Sequence, residues 1–388
     1  MAALYTYSLR NLLARRLTTA LTAGGMAMVV FVFSAMLMLS AGVEKTLQET
    51  GSPDNAVLLR QGSKAEMESM VERSTSAIAL SLPEVALAQD GTPLAASEVV
   101  VLVNLRKRDT GSPANVVVRG VGAHSLALRP QVQLVTGRMP RAGRPEVIVG
   151  ASIARRFAST GLGESIRMGG RDWDVVGVFD AGQTGFSSEI WGDAEQLMAA
   201  FRRSVYSVVI ASMKTEASFD PFAARVSDDP RLHLDVKRET RFYAEQAEMM
   251  AIFLRILGIA LPGLFSLGAV LGGMITMHAA VAGRIREIGT LRALGFQQRD
   301  ILFAFVVESL LLGGIGGALG VGLASLLHSV SISTVNFQTF SELAFSFALT
   351  PAIGCGGVSF GLAMGLVGGV LPAFRAARQD IVAALRAT

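Results

Sequence analysis

Residues 256–283 read ILGIALPGLFSLGAVLGGMITMHAAVAG, and residues 284–300 read RIREIGTLRALGFQQRD. The first stretch holds no Asp, Glu, Lys or Arg. As a helix rising about 1.5 Å per residue it would extend about 42 Å, beyond the ~30 Å of a hydrocarbon core, which predicts a transmembrane span. The second stretch is rich in arginine, with Ile285, Ile288, Leu291 and Leu294 three apart. A plain hairpin between spans needs only a few polar residues. This spacing predicts a short amphipathic helix, ended by Gly295 in the C′ position.

Three other uncharged runs flank this pair. The first covers Leu17–Val43, behind Arg10, Arg15 and Arg16. It exceeds the ~7–15 residues of a signal-peptide core and closes on no small-x-small cleavage site, which predicts an uncleaved anchor. Upstream, Leu4, Tyr7, Leu9, Leu12 and Leu13 recur near helical spacing and predict an interfacial helix. The third run covers Ser309–Ser341, with its helix expected to start near Ile301. The fourth covers Leu343–Phe374, entered at Pro351. Of the 388 residues, 51% are apolar and only 17% charged, below the ~25% of soluble domains.

Between the first two spans the composition is that of a globular domain. The Val-rich segments Glu98–Val103, Ala114–Val121, Val132–Thr136, Glu146–Val149 and Trp173–Phe179 predict strands. Ser63–Ser81, Ser152–Thr160 and Ala194–Arg203 predict helices. The expected fold is therefore membrane α-helical, four transmembrane helices, with a large α+β extracytoplasmic domain inserted between the first and second. In numbers, this gives a cytoplasmic amphipathic entry helix at 1–16, spans at 17–43, 249–283, 301–330 and 351–374, and the extracytoplasmic core domain at 44–248. A cytoplasmic helix at 284–300, a short extracytoplasmic loop at 331–350 and a cytoplasmic tail at 375–388 complete the chain.

Arginine sets the orientation. Arg284, Arg286, Arg292 and Arg299 fill the 284–300 connection, and Arg375, Arg378 and Arg386 follow the last span, whereas residues 329–350 hold no Lys or Arg. The positive-inside rule places both termini and the 284–300 connection in the cytoplasm. A 205-residue insert (44–248) translocates regardless of its own charge. The net charge of +4 comes without aromatic residues interleaved among basic ones, so nucleic-acid binding is not expected.

Few residues point to catalysis. The sequence has no G-x-x-x-x-G-K-[ST] phosphate loop and no H-E-x-x-H zinc helix, and no nucleophile elbow is expected. His124, His233, His278 and His328 lack ligand spacing, so no metal is expected. Asp172 and Asp174 read as strand-edge residues rather than an acid–base pair. Cys355 is the single cysteine, which excludes an internal disulfide. Glu308, about two turns into the third span, is expected to pair with Arg284 or Arg286 rather than to carry protons. Gly357, Gly361, Gly365 and Gly369 fall four apart, as do Gly313 and Gly317, and Gly316 and Gly320. That spacing predicts close helix packing, within one subunit or at a homodimer seam.

The 284–300 segment resembles the coupling region of the FtsX/MacB-type ABC permease family, known for mechanotransmission. The resemblance is carried by Arg286-Glu287-Ile288-Gly289, Leu291-Arg292-Ala293-Leu294-Gly295, Ile301 and Glu308. Ser8–Arg16 is similar to the family's entry helix. Leu371–Arg378 with Ala384-Leu385-Arg386 is similar to its closing segment, although Gln379-Asp380-Ile381 stands where the family usually has a proline. Arg119-Gly120-Val121, Gly137-Arg138, Glu146–Gly150 and Val175–Phe179 resemble its periplasmic core domain.

The resemblance implies that Arg284, Arg286–Gly289 and Leu291–Gly295 couple to an ATPase. It implies a permease working as a dimer, with a second copy or a paralogue, beside two copies of a separate ABC ATPase that uses ATP and Mg. No cofactor is then bound by this chain. It further implies export or extraction of an amphiphilic substrate or a lipoprotein, with a periplasmic adaptor or acceptor protein and membrane lipid as further partners. An FtsX-like envelope regulator controlling a periplasmic hydrolase is the alternative, though that branch usually carries a smaller insert. A sensor receptor would leave the third and fourth spans unexplained.

Overall fold

The computed structural model describes residues 16–335 and 342–379. The entry helix expected at 1–16 and residues 380–388 of the tail therefore lie outside the described residues, save Arg16. The chain divides into two compact units, and the division falls inside two helices, after Ala41 and after Ala251.

In chain order, helix α1 (Arg16–Gln48) leads to β1 (Asn55–Arg60), α2 (Arg73–Leu80), β2 (Ala95–Arg106), β3 (Pro113–Val121) and β4 (Gln133–Gly137). Then come β5 (Glu146–Gly150), α3 (Ala151–Arg156), β6 (Ser165–Met168), β7 (Arg171–Asp180), β8 (Glu189–Asp193) and α4 (Ala194–Ala200). β9 (Val208–Ser212), α5 (Phe219–Asp228) and β10 (Leu234–Arg238) precede the long helix α6 (Glu239–Ala282). The short α7 (Ile285–Ala293), α8 (Gln298–Ser325), β11 (Ser331–Val335), β12 (Glu342–Ser346) and α9 (Pro351–Ala377) follow.

The first unit holds four helices long and apolar enough to cross a membrane: α1, the part of α6 from Met250 onward, α8 with its extension to Ser329, and α9. Lipid tails are as apolar as leucine, so burial alone gives these helices no reason to associate. Close backbone approach does, and glycine permits it. A Cβ at Gly361 would lie 2.8 Å from the Gly317 Cα and 3.0 Å from its nitrogen; one at Gly365 would meet Gly313. Gly316 and Gly320, a 60° turn away on α8, instead admit α1: their added Cβ atoms would meet Ala23 O at 2.9 Å and Ala27 O at 2.6 Å. The two interleaved glycine pairs of α8 thus serve two different neighbours. Gly357 faces Val321 and Ser34, and Gly369 faces Ser309. At the entry of α9, the Thr350 side chain accepts from the Ile353 amide and Pro351 occupies the first turn, where its missing N–H costs nothing.

The second unit, Gly42–Ala251 with Ser331–Ser346, is built on a ten-stranded sheet. Its order is β10-β1-β9-β2-β3-β8-β5-β7-β4, with β6 also on β7; β3 with β8 and β5 with β7 are parallel, the other pairs antiparallel. Two cores form on it. Val99, Val116, Val118, Ile153, Trp173 and Ile190 share one, under α3 and α4. Ala56, Leu58, Val209, Phe222 and Val226 share the other, under α5.

Several expectations need correction. Ser63–Ser81 is helical only at Arg73–Leu80. Upstream, Val71 and Tyr206 exchange both backbone hydrogen bonds (2.8 and 2.9 Å), and Glu66 is drawn to Arg119, so long-range pairing overrides local helix propensity. The second span itself, Met250–Ala282, lies where expected, but its helix begins earlier, at Glu239. The expected loop 331–350 contains the hairpin β11–β12, grouped with the second unit, where the Ala344 amide donates to Ser188 Oγ (3.1 Å). β1, β6, β8, β9, β10 and α5 were not foreseen.

Gly361→Val should lower the thermal unfolding temperature of the detergent-solubilised chain by an amount corresponding to about 1–3 kcal/mol of overpacking, whereas Gly356→Ala, with open space around it, should leave it unchanged. Equal midpoints for the two variants would remove the α8–α9 seam as a source of stability.

Candidate functional site

The connection between α6 and α8 is short and strongly fixed. Arg284 stands at the N-cap of α7, outside helical geometry (φ −124°, ψ 15°). Its Nη1 donates to Glu308 Oε2 (2.9 Å) and its Nη2 to Glu308 Oε1 (3.1 Å), a bidentate pair with both side chains buried, 3% and 6% exposed. The guanidinium also lies 5.8 Å from the Phe305 ring centroid. At the other end Gly295 adopts φ +102°. Its N–H bonds to Arg292 O, and the Phe296 N–H bonds to Leu291 O. That double bond is a Schellman stop, which uses the left-handed freedom of glycine. α8 then opens with a reciprocal cap, in which the Gln297 N–H donates to Asp300 Oδ2 (2.8 Å).

The four apolar residues of α7 do not form one docking stripe. Steps of three residues rotate by 300°, so the set drifts by 60° per step around the helix. Ile288 is buried with Met277, Ile301, Phe305 and Ala373, and Leu291 packs against the same cluster. Ile285 is half-buried, and Leu294 is 74% exposed. Gly289 is buried and Arg292 half-buried, its Nη1 donating to Gln379 O (2.7 Å). Arg286, Glu287, Ala293, Leu294 and Gly295 form the exposed side. Of the two arginines weighed as partners for Glu308, the geometry pairs Arg284 and leaves Arg286 on the surface.

No catalytic constellation emerges among the described residues. No group of three or more His, Cys, Asp or Glu could hold a metal ion there. Asp172 sits in the β6–β7 hairpin opposite Arg167 (3.3 Å). The pattern G-x-S-x-G does occur, at Gly357-Val358-Ser359-Phe360-Gly361. It lies within α9, which has no strand-to-helix turn, and so cannot form a nucleophile elbow.

Sequence reading missed a buried ionic network in the second unit. Arg119 of β3 reaches Glu66 (2.8 and 2.9 Å), Glu98 of β2 (3.1 Å) and Glu189 of β8 (2.7 and 2.8 Å). Arg129 adds two bonds to Glu98 (2.6 and 2.8 Å) and lies over Phe186. Burial pushes the Glu98 carboxyl up, but Arg129 and Arg119 outweigh it and hold it below the usual carboxylate range. The available signal was a charge inside a Val-rich strand, at Glu98 before Val99-Val100-Val101 and at Arg119 after Val116-Val117-Val118. Buried charges there must be paired.

Removing one partner of the α6–α8 clamp strands a buried charge, so Glu308→Ala should cost about 3–5 kcal/mol and Arg284→Met a similar amount. The double variant Arg284→Met/Glu308→Leu should recover most of that loss in thermal unfolding. Additive losses in the double variant would show that the two side chains do not act as a pair.

Residues 19–229 match the family described as MacB-like periplasmic core domain, and residues 259–381 match the FtsX-like permease C-terminal family. The chain is 29% identical over 242 residues to the uncharacterized ABC transporter permease YknZ of Bacillus subtilis (strain 168), covering 58% of this chain and 57% of that protein. It is 28% identical over 261 residues to the macrolide export ATP-binding/permease protein MacB of Hyphomonas neptunium, covering 62% of this chain and 38% of that one. The chain thus spans little more than half the length of these relatives, or less. The extracellular domain of YknZ from Gram-positive bacteria aligns with a TM-score of 0.36 at 15% identity, over 47% of this chain and 99% of that domain. With the first family spanning more than half of its residues, the chain belongs to the FtsX/MacB-type ABC transporter permease family.

Proposed function

We propose that this chain is the permease subunit of an ABC transporter, in which nucleotide-driven movement of a separate ATPase subunit is received by α7. The observation that carries this reading is the division of α7 into two sides. Ile288, Leu291 and the Arg284–Glu308 clamp bind it to α6, α8 and α9, while Arg286, Glu287 and Leu294 stand exposed. A helix held this way moves its neighbours when pushed, whereas a loosely tethered one would only bend. A partner's groove can take the exposed side through an apolar anchor flanked by charges.

The remaining parts follow from the same reading. ATP and Mg are used by the partner ATPase in this reading; these 388 residues carry no phosphate-loop pattern. The part of α6 within the membrane buries 22% of its most apolar window, against 50%, 50% and 44% for α1, α8 and α9. Its Ile256, Ile259, Leu264 and Leu271 are exposed to lipid or to a second permease copy. Arginine at 284–299 and 375–378 puts α7 on the cytoplasmic side and the sheet domain outside. α1 and α6 each contribute residues to both compact units as continuous helices, which supports motion of the extracytoplasmic domain as the output. The cargo in this proposal is an amphiphile or lipoprotein taken from the outer leaflet or the periplasm, with an adaptor or acceptor receiving it.

Leu294→Asp should leave the thermal unfolding midpoint of the permease unchanged, because that side chain supports no core, yet abolish co-purification of the ATPase and reduce its stimulated turnover by more than about tenfold, the effect of losing an apolar interface anchor. Full ATPase recovery with Leu294→Asp would refute α7 as the docking element. In a Cys355→Ser background, a cysteine at Arg286 should react with an impermeant thiol reagent only in inverted vesicles, and one at Lys64 only in intact cells. The opposite pattern would reverse the topology.

A further inference from the structure

The buried network of the second unit does not balance in charge. Glu66, Glu98, Glu189 and Glu239 supply four buried carboxyl groups against the two buried guanidinium groups of Arg119 and Arg129. Three of the four carboxyls are held by arginine: Glu66 and Glu189 by Arg119, Glu98 by both. Glu239, the first residue of α6, is bonded to neither. Its Oε2 accepts from the Ser52 amide (2.9 Å) and from Asn55 Nδ2 (2.8 Å), and Asn55 also donates to Leu128 O (3.0 Å). Its Oε1 is buried without a hydrogen-bond partner among the described residues. An ionised carboxylate so placed would lack both a counter-ion in contact and solvation of one oxygen.

We propose that Glu239 is a proton-binding site, the member of this network that stays a neutral carboxylic acid, and that its ionisation loosens the joint between α6 and the turn that follows α1. The joint has little slack: a Cβ on Gly51 would lie 2.7 Å from both Glu239 C and Thr240 N. Ionisation breaks the O–H bond of Glu239, releases the proton to solvent and leaves a carboxylate. That charge faces Arg129, which favours it, and Glu98, which opposes it. Arg119, Glu66, Glu189 and the Tyr243 hydroxyl stand further into the same network, and burial keeps Tyr243 neutral by pushing it well above its usual value. Nearby on the chain, Arg238 turns to the Glu216 carbonyl and Arg241 to Glu245, so neither neutralises Glu239. Burial is the largest influence on Glu239 and pushes its carboxyl above the usual range, against the pull of Arg129, the Ser52 N–H and Asn55.

The direction of the pH effect follows from that raised value. A folded chain that binds the proton more tightly than the unfolded one gains a stabilising contribution, complete below the ordinary carboxylate pKa of about 4.5. It is lost as pH rises through the higher, folded value. A rise in pH through that folded value, not a fall, therefore opens the joint. In contrast, the arginine-held Glu98 contributes above the ordinary value and loses that contribution only as pH falls below it.

The test uses the full chain in detergent micelles. Infrared difference spectra, titrated upward from about pH 4.5, should show a carboxylic-acid C=O band in the wild type that is lost only above the ordinary carboxylate value, and Glu239→Gln should lack that band. Across the same range, amide hydrogen-exchange protection at Ser52 and Asn55, corrected for intrinsic exchange, should fall several-fold in the wild type and stay level in Glu239→Gln. A wild type without the acid band, or a band that persists in Glu239→Gln, would overturn the proposal. Should Glu239→Gln fail to fold, the wild type decides alone: level protection at Ser52 and Asn55 across that range is fatal. None of these readouts involves an ATPase, so their failure leaves the permease reading intact.

Discussion

A bilayer core offers no hydrogen bonds and no hydrophobic gain on helix association, and the first unit is arranged around that constraint. Each span satisfies its own backbone, so what remains to hold spans together is dispersion at short range. α8 carries the solution in one sequence, Gly313-Gly314-Ile315-Gly316-Gly317-Ala318-Leu319-Gly320. Two pairs of glycines four apart, offset by three, open two grooves about 60° apart on the same helix, one against α9 and one against α1. A single methyl in either groove would press on backbone, which cannot yield as a side-chain end can. Close Cα approach also brings carbonyl oxygens near Cα–H groups, a weak attraction that recurs at such seams.

Charge is admitted under equally narrow terms. The Arg284–Glu308 pair is neutral overall, bidentate and capped by the Phe305 ring, so the desolvation of each group is met by the other. Such a pair adds little stability compared with apolar side chains of the same size. It does, however, define one angle at which α7 can leave α6, because a planar fork fits a carboxylate in few orientations. The network of the second unit follows the same rule for Arg119, Arg129 and three glutamates, then departs from it at Glu239. A departure at a helix's first residue, beside a glycine without room for a methyl group, places the uncompensated group at a joint rather than in a core.

What was legible in the sequence divides along physical lines. The four spans were, because length and hydropathy alone decide whether a helix fits a bilayer. The stop at Gly295 was, because one residue type accepts its backbone angle. Strands β2, β3, β5 and β7 were, being Val-rich and bounded by turn residues. β8 was not: Glu189-Ile190-Trp191-Gly192-Asp193 carries three residues poor in strand propensity, and it is a strand because β3 and β5 flank it while Arg119 holds Glu189. The failed helix at 63–72 is the same effect inverted, a local preference overridden by partners far along the chain. The hairpin β11–β12 was hidden because a stretch beside two spans with Glu342 as its one charge reads as more span or as loop.

Helix α7 shows why apolar spacing needs care when it comes in threes. Spacings that alternate three and four keep a stripe on one face, whereas repeated threes wind it around the helix. The winding divides α7 between a buried side and an exposed one. The middle two of the set, Ile288 and Leu291, reach the cluster shared by α6, α8 and α9, and the last, Leu294, has turned away from it into the open. An element meant only to rest on lipid would gain from a single stripe and would need no buried ion pair to hold its angle. One meant to receive force must be rigid toward its own subunit and offer something to grip on the other side. The drift of four residues over ten positions gives α7 both the fixed side and the exposed side that the proposed role asks for.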